Sequence, residues 1–339
     1  MYFLAYWPFI FCKMQKDRIL NLIHLHVIVF IWGFTAILGK LISIDSLPLV
    51  WYRMLLASVF ILIYILVVRL RLKVDRRALG WLIFGGMVVA SHWVTFFYAI
   101  KISTISVALA MMSTGAFFTA LMEPFVFGRK VIVYELLFGI LVIAGLVLIF
   151  RVESNHTYGM LVALCSAFLA AVFSLVNGKL VKQHKPSVIS FYELSIGVLF
   201  LSLILAIGGS FSSEFFQLSK MDWSYIFILA LICTAYAFFA SIKVMRVLTP
   251  YTVMLTTNLE PVYGILLAWF IFGSEEQLNP LFYIGALIIL CTVILNGILK
   301  YRASLNRLPI RKVRRFLYGN KNCKVWIKLD ALHSKLSAK

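Results

Sequence analysis

The sequence predicts an all-α integral membrane protein with ten transmembrane helices, arranged as two inverted five-helix repeats. The composition, the spacing of long apolar stretches and a repeated order of short motifs support this fold class. Hydrophobic residues make up 63% of the 339 residues, charged residues make up 13%, and the mean hydropathy is +0.98. Ordinary soluble domains are about half apolar and about a quarter charged, so this composition excludes a soluble fold.

Ten stretches of the chain are apolar over about the 20 residues that a transmembrane helix requires. They occupy residues 22–42, 47–68, 78–100, 104–127, 133–150, 157–181, 188–209, 224–246, 250–272 and 281–300. The connections between them are short. This spacing leaves no room for a separate soluble catalytic or nucleic-acid-binding domain before residue 300.

The Lys and Arg residues are distributed unevenly between the two sides of the predicted bundle. If the N-terminus is cytoplasmic, 26 of the 32 fall on the cytoplasmic side, around residues 13–18, 69–77, 129–130, 179–185 and 246 and in the tail. Cytoplasmic loops of membrane proteins carry an excess of Lys and Arg. We therefore expect a multi-pass protein of the bacterial inner membrane with both termini in the cytoplasm.

The chain divides into a short N-terminal segment (1–21), a first repeat (22–150), a second repeat (151–300) and a basic tail (301–339). The first eleven residues are apolar but too short to span, and no basic region precedes them, so they are not typical of a signal peptide. Met14 is therefore an alternative start of the chain.

The tail carries twelve basic residues from Lys300 onward and a single acid, Asp330, with apolar residues between them. A segment of this kind can lie on anionic membrane lipid. A flexible, solvated tail is the alternative. We do not expect binding to nucleic acid, because the tail is tethered to the membrane and contains no recognised module.

Short motifs of the first half recur in the same order in the second half, at offsets between 138 and 146 residues. Gly39-Lys40-Leu41 recurs as Gly178-Lys179-Leu180, Phe96-Phe97 as Phe238-Phe239, and Phe127-Gly128 as Phe272-Gly273. Because each repeat contains an odd number of helices, the second copy must be inverted relative to the first. Inverted repeats are typical of transporters that work by alternating access.

The ninth and tenth stretches carry the most specific motifs of the chain. They contain Leu259-Glu260-Pro261, then Trp269-Phe270-Ile271-Phe272-Gly273-Ser274-Glu275, then Tyr283-Ile284-Gly285-Ala286. These residues resemble the drug/metabolite transporter superfamily, specifically its EamA-like branch of ten-helix carriers. The first copy departs from the pattern, since Ala116 replaces the proline and Arg129-Lys130 replace the acidic position. The resemblance implies a permease or exporter of small organic solutes, including amino acids and related compounds.

Glu260 is the strongest candidate for a residue that binds substrate or a coupling ion. It lies near the middle of the ninth stretch, directly before Pro261, whose ring removes a backbone hydrogen bond. Thr252, Thr256 and Glu260 recur every four residues, so we expect them to share one face that lines a cavity. Ionisable groups inside a membrane are functional candidates by default. The alternative is that Glu260 pairs with a buried partner and only holds helices together.

Arg53 and Glu193 occupy equivalent positions in the two repeats, near the outer and inner ends of their helices. We interpret them as gating residues, each at one mouth of the transport path. Long side chains near helix ends also extend to water at the interface, and this is the alternative for both residues.

Six further candidates are polar or aromatic residues within the predicted helices. His92 could relay a proton or bind substrate, or be satisfied structurally. Trp32 and Trp93 lie far from the interfacial belts, where an indole N–H must find a partner, and they could form cavity walls or pack between helices. Asn258 and the pair Ser113 and Thr114 mark matching positions of the ninth and fourth stretches, where small polar residues contact substrate or join helices. These last two roles cannot be separated from the sequence.

The sequence favours a secondary transporter of a small molecule, coupled to a proton or ion gradient, and not an enzyme. No P-loop pattern supplies ATP binding, and the five cysteines are scattered without a Cys-x-x-Cys pair, which argues against a disulfide framework or a zinc site. We expect no cofactor. The alternatives are a membrane-embedded lipid-modifying enzyme, for which no histidine cluster is present, and a channel or sensory membrane protein.

Overall fold

A computed structural model describes residues 2–128, 133–273 and 278–306 of the chain. Its long helices are α1 (Tyr2–Leu41), α2 (Ser46–Val67), α3 (Arg76–Ile102), α4 (Ile105–Met112), α5 (Gly115–Phe127), α6 (Val133–Val152), α7 (Thr157–Leu180), α8 (Pro186–Ile207), α9 (Lys220–Ile228), α10 (Ala237–Val244), α11 (Pro250–Thr257), α12 (Glu260–Phe272) and α13 (Pro280–Asn306). The described residues contain no strand. The chain therefore has the all-α fold that its composition predicts.

Eight helical segments among the described residues are long and apolar enough to cross a membrane. Two further apolar helices, Leu137–Val152 and Pro280–Thr292, are shorter and coincide with the fifth and tenth predicted stretches. The predicted N-terminal segment is continuous with α1, whose membrane-spanning part is Ile19–Leu41. The basic tail beyond residue 306 lies outside the described residues, as do Arg129 and Lys130. The protein is a multi-pass membrane protein.

Two membrane-spanning segments are interrupted at matching positions of the two repeats. The first consists of α4 and α5, which meet at Ser113 and Thr114, and the second consists of α11 and α12, which meet at Asn258 and Leu259. At each junction a backbone N–H donates to the carbonyl oxygen three residues earlier instead of four. Thr114 N–H donates to Met111 O at 3.1 Å, and Leu259 N–H donates to Thr256 O at 3.0 Å. This tighter winding is a local 3₁₀ turn.

Both interrupted segments end at a glycine with positive φ. Gly128 has φ 67° and Gly273 has φ 55°, and these are the glycines of the repeated Phe-Gly motif. Glycine adopts this left-handed region without the steric cost that a Cβ imposes. The motif thus ends the corresponding helix in each repeat.

The two repeats interlock rather than lying side by side. Helix α3 packs most extensively against α7 and α8, and the equivalent elements α9 and α10 with their connecting turn pack against α1 and α2. Helices α6 and α13 pack against each other at a reciprocal glycine contact, where a Cβ at Gly145 or at Gly285 would lie 3.0 Å from the carbonyl oxygen of the other. Each of these cross-repeat contacts has its counterpart when the repeats are exchanged. The core therefore lies at the interface between the repeats.

Candidate functional site

A cavity lies at the interface between the repeats, and its walls come from both. Helices α1, α2, α3 and α4 contribute from the first repeat, and α7, α10, α11 and α12 contribute from the second. About 70 Å³ of this space is open to the centres of water molecules. One water requires about 10–15 Å³ by the same measure, so the cavity accommodates several waters or a small polar group in this conformation.

A π-helical turn, Leu229–Tyr236, joins α9 to α10 and positions two side chains of the cavity. The hydroxyl of Thr234 donates to Leu229 O at 2.8 Å, five residues earlier, and accepts from Arg53 Nε at 2.6 Å. Cys233 O accepts from the indole Nε1 of Trp32 at 3.2 Å. Single π-turns within helices occur frequently at functional sites. Here the wider turn exposes a hydroxyl and a carbonyl toward the first repeat.

Arg53 lies in the cavity wall, and only 2% of its surface is exposed. Its guanidinium carbon is 4.0 Å from the ring centroid of Trp93 and 5.3 Å from that of Phe97. Its Nε donates to Thr234, whereas its buried terminal nitrogen Nη1 has no hydrogen-bond partner among the described residues. The interpretation of Arg53 as a side chain extending to water at the membrane interface is therefore wrong. A cation held by aromatic rings with a free N–H is suited to bind an anionic group.

Glu260 and Pro261 line the same cavity from the first turn of α12. The carboxylate of Glu260 and the guanidinium of Arg53 interact electrostatically, but no direct ion pair joins these two described side chains. Two opposite charges thus face one space without neutralising each other by contact. A ligand that carries both an anionic and a cationic group can bridge them.

His92, Trp32 and Trp93 also line this cavity. His92 Nδ1 lies 2.8 Å from the Ser166 hydroxyl, which donates in turn to His92 O at 2.8 Å. This pairing joins α3 to α7 and supports the structural interpretation of His92. Trp93 contacts Phe238 edge to face, with ring centroids 5.4 Å apart. Both tryptophans thus lie in the cavity wall and pack between helices, and a role in substrate binding stays a prediction.

Glu193 is a residue of α8. It lies outside the cavity, and the neighbouring helices bury it fully. Its Oε2 accepts a hydrogen bond from Asn177 Nδ2 at 3.1 Å. No part of the carboxylate reaches water, so an interfacial anchor does not describe this residue. The gating role of Glu193, like that of Arg53, stays a prediction.

The other predicted polar residues lie at the helix interruptions, outside the cavity lining. The hydroxyls of Ser113 and Thr114 donate to their own helix, to Ala110 O at 2.6 Å and Met111 O at 2.7 Å. Asn258 is 2% exposed, and its Nδ2 has no hydrogen-bond partner. The hydroxyl bonds of Ser113 and Thr114 satisfy backbone carbonyls that the tightened turn leaves free.

Thr252 and Thr256 do not form a continuous lining face with Glu260. The Thr256 hydroxyl donates to Thr252 O at 2.9 Å, and the cavity is lined instead by Thr257 and its apolar neighbours in α11. The expected four-residue periodicity fails because α11 and α12 are separate helices with a 3₁₀ turn between them. Whether any of these residues binds substrate stays a prediction.

Several residues of the site were not identified from the sequence. They are Thr234, Thr257, Ser174 and Asn177. Single small polar residues occur in most membrane helices, so their type alone carries little information. The equivalence of the repeats offered one signal, because Asn177 directly precedes the Gly178-Lys179-Leu180 motif.

One face of the bundle, which we call the outer face, carries the loops 42–45, 103–104 and 208–219. Polar contacts join loops of this face to one another and to the start of α9. Asp222 is 4% exposed and accepts from Ser43 N at 2.8 Å, from Ser43 Oγ at 2.7 Å and from Ser219 Oγ at 2.7 Å. Lys101 Nζ donates to Ile42 O at 3.0 Å. The start of α9 is thus fastened to the loop between α1 and α2.

The equivalent contact at the opposite, inner face is weaker; this face carries loops 68–75, 181–185 and 245–249. Asp75, at the start of α3, lies 3.4 Å from His184 Nε2 in the loop between α7 and α8. The backbone N–H of Ala78 donates to Asp75 at 3.1 Å and lowers the pKa of its carboxyl. A second cavity of about 410 Å³ opens beside this contact, between α3, α5 and α7. The inner face is also closed by hydrogen bonds from Lys182 Nζ to Met245 O and Arg246 O, both at 3.1 Å, so the two faces differ mainly in the aspartate contact and in this second cavity.

Comparison with known proteins identifies the family. The model of the EamA-like transporter family matches the chain twice, over residues 21–151 and 157–298. A solved crystal structure aligns with a TM-score of 0.62 at 14% sequence identity, and the alignment covers 85% of this chain and 99% of the other. This likeness shows a shared fold. The search of curated proteins finds no match.

Proposed function

The chain belongs to the EamA-like transporter family, and from its site we propose that it is a secondary active exporter of amino acids and related metabolites. As a family member it is a membrane transporter of small molecules. The observation that carries the proposal is the cavity between the repeats, in which Arg53 and Glu260 face the same space without pairing.

The chemistry of the cavity fits a zwitterion with an apolar side chain. The unpaired Nη1 of Arg53 is a donor for a carboxylate, and the Glu260 carboxylate is an acceptor for an ammonium group. Aromatic rings and methionines form the remaining walls. An α-amino acid with an aromatic or aliphatic side chain presents all three features together. Without both charged partners, either cavity charge stays uncompensated in a membrane interior, which is costly.

The paired contacts at the two faces suit alternating access. Asp222 with Ser43 at the outer face and Asp75 with His184 at the inner face join equivalent elements of the two repeats. A carrier of this design closes one contact while it opens the other, around a central site. We propose that the structure represents a state closed at the outer face, and that rupture of the Asp222 contacts accompanies opening to the outside.

The proposed orientation rests on the uneven distribution of Lys and Arg between the two sides. The proposed helix count rests on five helices in each of the two repeats. We propose ten spans with both termini in the cytoplasm, so that the second repeat is inverted and the inner face is cytoplasmic. The shorter apolar helices within α6 and α13 then supply the fifth and tenth spans. The preference for export rests on the family resemblance. No observation among the described residues specifically favours a lipid-modifying enzyme or a channel.

The experiment that tests the proposal is metabolite profiling of cells that express or lack the protein. We expect one or a few apolar amino acids, or close relatives, to decrease inside the expressing cells and to increase in the medium. The matched control is Glu260→Gln, which keeps the side-chain shape and removes the charge. Identical profiles in expressing and non-expressing cells, with the protein folded in the membrane, would show that the proposed substrate class is wrong.

A further inference from the structure

Three polar side chains form a second buried group beside the central cavity. Glu193 and Asn177 are both 0% exposed and are joined by the 3.1 Å hydrogen bond from Asn177 Nδ2 to Glu193 Oε2. Ser174 is also 0% exposed, lies one helical turn before Asn177, and lines the central cavity. Helix α7 therefore carries both the partner of the buried carboxyl and a residue of the cavity wall.

This group has more hydrogen-bonding capacity than it uses. Glu193 Oε1, Asn177 Oδ1 and Ser174 Oγ are all buried and have no partner among the described residues. Buried polar atoms are almost always paired, so an unpaired set calls for a physical explanation. Glu193 Oε1 and Asn177 Oδ1 thus leave the buried carboxyl and its hydrogen-bond partner with acceptor capacity that a bound proton would use.

The surroundings of Glu193 leave its charge without compensation. The charged side chains and the histidine of α2, α3 and α10, the helices packed against α8, have other partners or are exposed. Arg53 bonds to Thr234, His92 to Ser166 and Lys101 to Ile42 O, while Arg76, Arg77 and Lys243 are exposed. Among the described residues, Glu193 forms no ion pair. A buried carboxylate without a cation is strongly unfavourable, so the site requires a positive partner for part of the transport cycle.

Packing limits the size of that partner. Gly85 and Gly86 of α3 lie directly against Glu193, and a Cβ at Gly85 would overlap its Oε1, while a Cβ at Gly86 would lie 2.7 Å from its backbone oxygen. The carboxyl thus occupies the space that a side chain on α3 would fill. A metal ion needs several oxygen ligands around it, whereas a proton needs only one acceptor.

Asparagine is a suitable partner for a carboxyl that gains and loses a proton. Toward an ionised carboxylate it presents its N–H, and toward a protonated carboxyl it can turn and present its C=O. The same contact then survives in both protonation states. Lysine or arginine at position 177 would instead hold the carboxylate permanently ionised.

We propose that Glu193, supported by Asn177, is the proton-binding site of the carrier, separate from the central cavity in which Glu260 contacts the substrate. Helix α7 carries both Asn177 and the cavity residue Ser174, so that a movement of this helix at one site is sensed at the other. The proposal rests on the proposed transport function, which it extends by naming the coupling ion and its binding residue. It assigns Glu193 a role different from that of a gate.

The proton site is tested directly by infrared spectroscopy of the purified protein in lipid. We expect the wild-type protein to show a C=O stretch of a buried protonated carboxyl that disappears as the pH is raised. Glu193→Gln should remove this band, Asn177→Leu should shift its frequency, and Glu260→Gln should retain it. The band remaining in Glu193→Gln, or no such band in the folded wild-type protein at any pH, would overturn the proposal. So would disappearance of the band when sodium chloride replaces choline chloride, since that assigns the site to Na⁺.

Coupling is tested separately in proteoliposomes with radiolabelled phenylalanine. Glu193→Gln should lose accumulation driven by an imposed proton gradient but keep exchange of internal for external phenylalanine. Proton-driven accumulation at the wild-type level by the folded variant would contradict the coupling role. If the wild-type protein moves no amino acid at all, the proposed substrate class fails, while the infrared result still decides whether Glu193 binds a proton.

Discussion

The role of Arg53 can be tested by removing its charge and measuring which part of a ligand is no longer recognised. Arg53→Met keeps most of the side-chain length and its contact with the aromatic rings, but it removes the Nη1 donor that has no partner in the structure. A hydrogen bond to a charged group contributes about 1.5–3 kcal/mol. Because about 1.4 kcal/mol corresponds to a tenfold change in Kd, we expect the affinity for a substrate carboxylate to fall about 10- to 150-fold.

The assay is equilibrium binding of three related ligands to the purified protein. Phenylalanine carries both charges, phenethylamine lacks the carboxylate, and 3-phenylpropionate lacks the ammonium group. Arg53→Met should weaken binding of phenylalanine and phenylpropionate and leave binding of phenethylamine largely unchanged, while Glu260→Gln should show the opposite selectivity. Equal losses for all three ligands would refute the reasoning, because they would indicate general distortion of the cavity rather than loss of one contact.

Lys243→Met is the matched control, since Lys243 is an exposed cation that does not line the cavity. It should leave the binding of all three ligands unchanged. Arg53→Met also removes the hydrogen bond to Thr234, so its melting temperature is measured beside that of the wild type, and the comparison among the three ligands separates loss of one contact from loss of stability. A folded Arg53→Met protein that binds phenylalanine as the wild type does would show that Arg53 does not bind the carboxylate.

Three further predictions concern packing, gating and topology. Gly145→Ala places a Cβ 2.7 Å from an isoleucine of α13 and should destabilise the protein by about 1–3 kcal/mol. The control Gly80→Ala should not destabilise it, because the space around Gly80 is open. Thermal unfolding of the two variants in detergent makes this comparison. Asp75→Asn removes the carboxylate that lies 3.4 Å from His184 Nε2 at the inner face. It should therefore increase the thiol accessibility of a cysteine introduced into the loop 181–185, whereas Arg77→Gln, an exposed position of the same face, should not. An alkaline phosphatase fusion after Arg77 should be inactive, and an active fusion would reverse the proposed topology.

The sequence was most informative where one physical requirement dominates. Long apolar stretches must be buried in lipid, so hydropathy located the helices without knowledge of their packing. The interruption at the ninth stretch was also visible, because Pro261 cannot donate a backbone hydrogen bond. The equivalent interruption at Ser113 and Thr114 has no proline, and only the correspondence between the repeats marked its position.

The depth and partners of the charged residues could not be inferred in the same way. Arg53 and Glu193 lie near the helix ends in sequence, which suggested contact with water, but neighbouring helices bury both completely. Arg53 depends on the π-turn that presents Thr234, and Glu193 depends on the bare backbone of Gly85. Each arrangement is created by residues more than 100 positions away, so no local pattern of spacing predicts it.

The measurement that tests the central claim most directly is counterflow in proteoliposomes containing the purified protein. Vesicles are loaded with an unlabelled amino acid, and uptake of the same labelled amino acid is followed without any ion gradient. A carrier with one site that opens alternately to the two faces predicts transient accumulation of label for at least one apolar amino acid, and its loss in Arg53→Met. Uptake that rises linearly with concentration and is indifferent to the internal amino acid would contradict alternating access at this cavity.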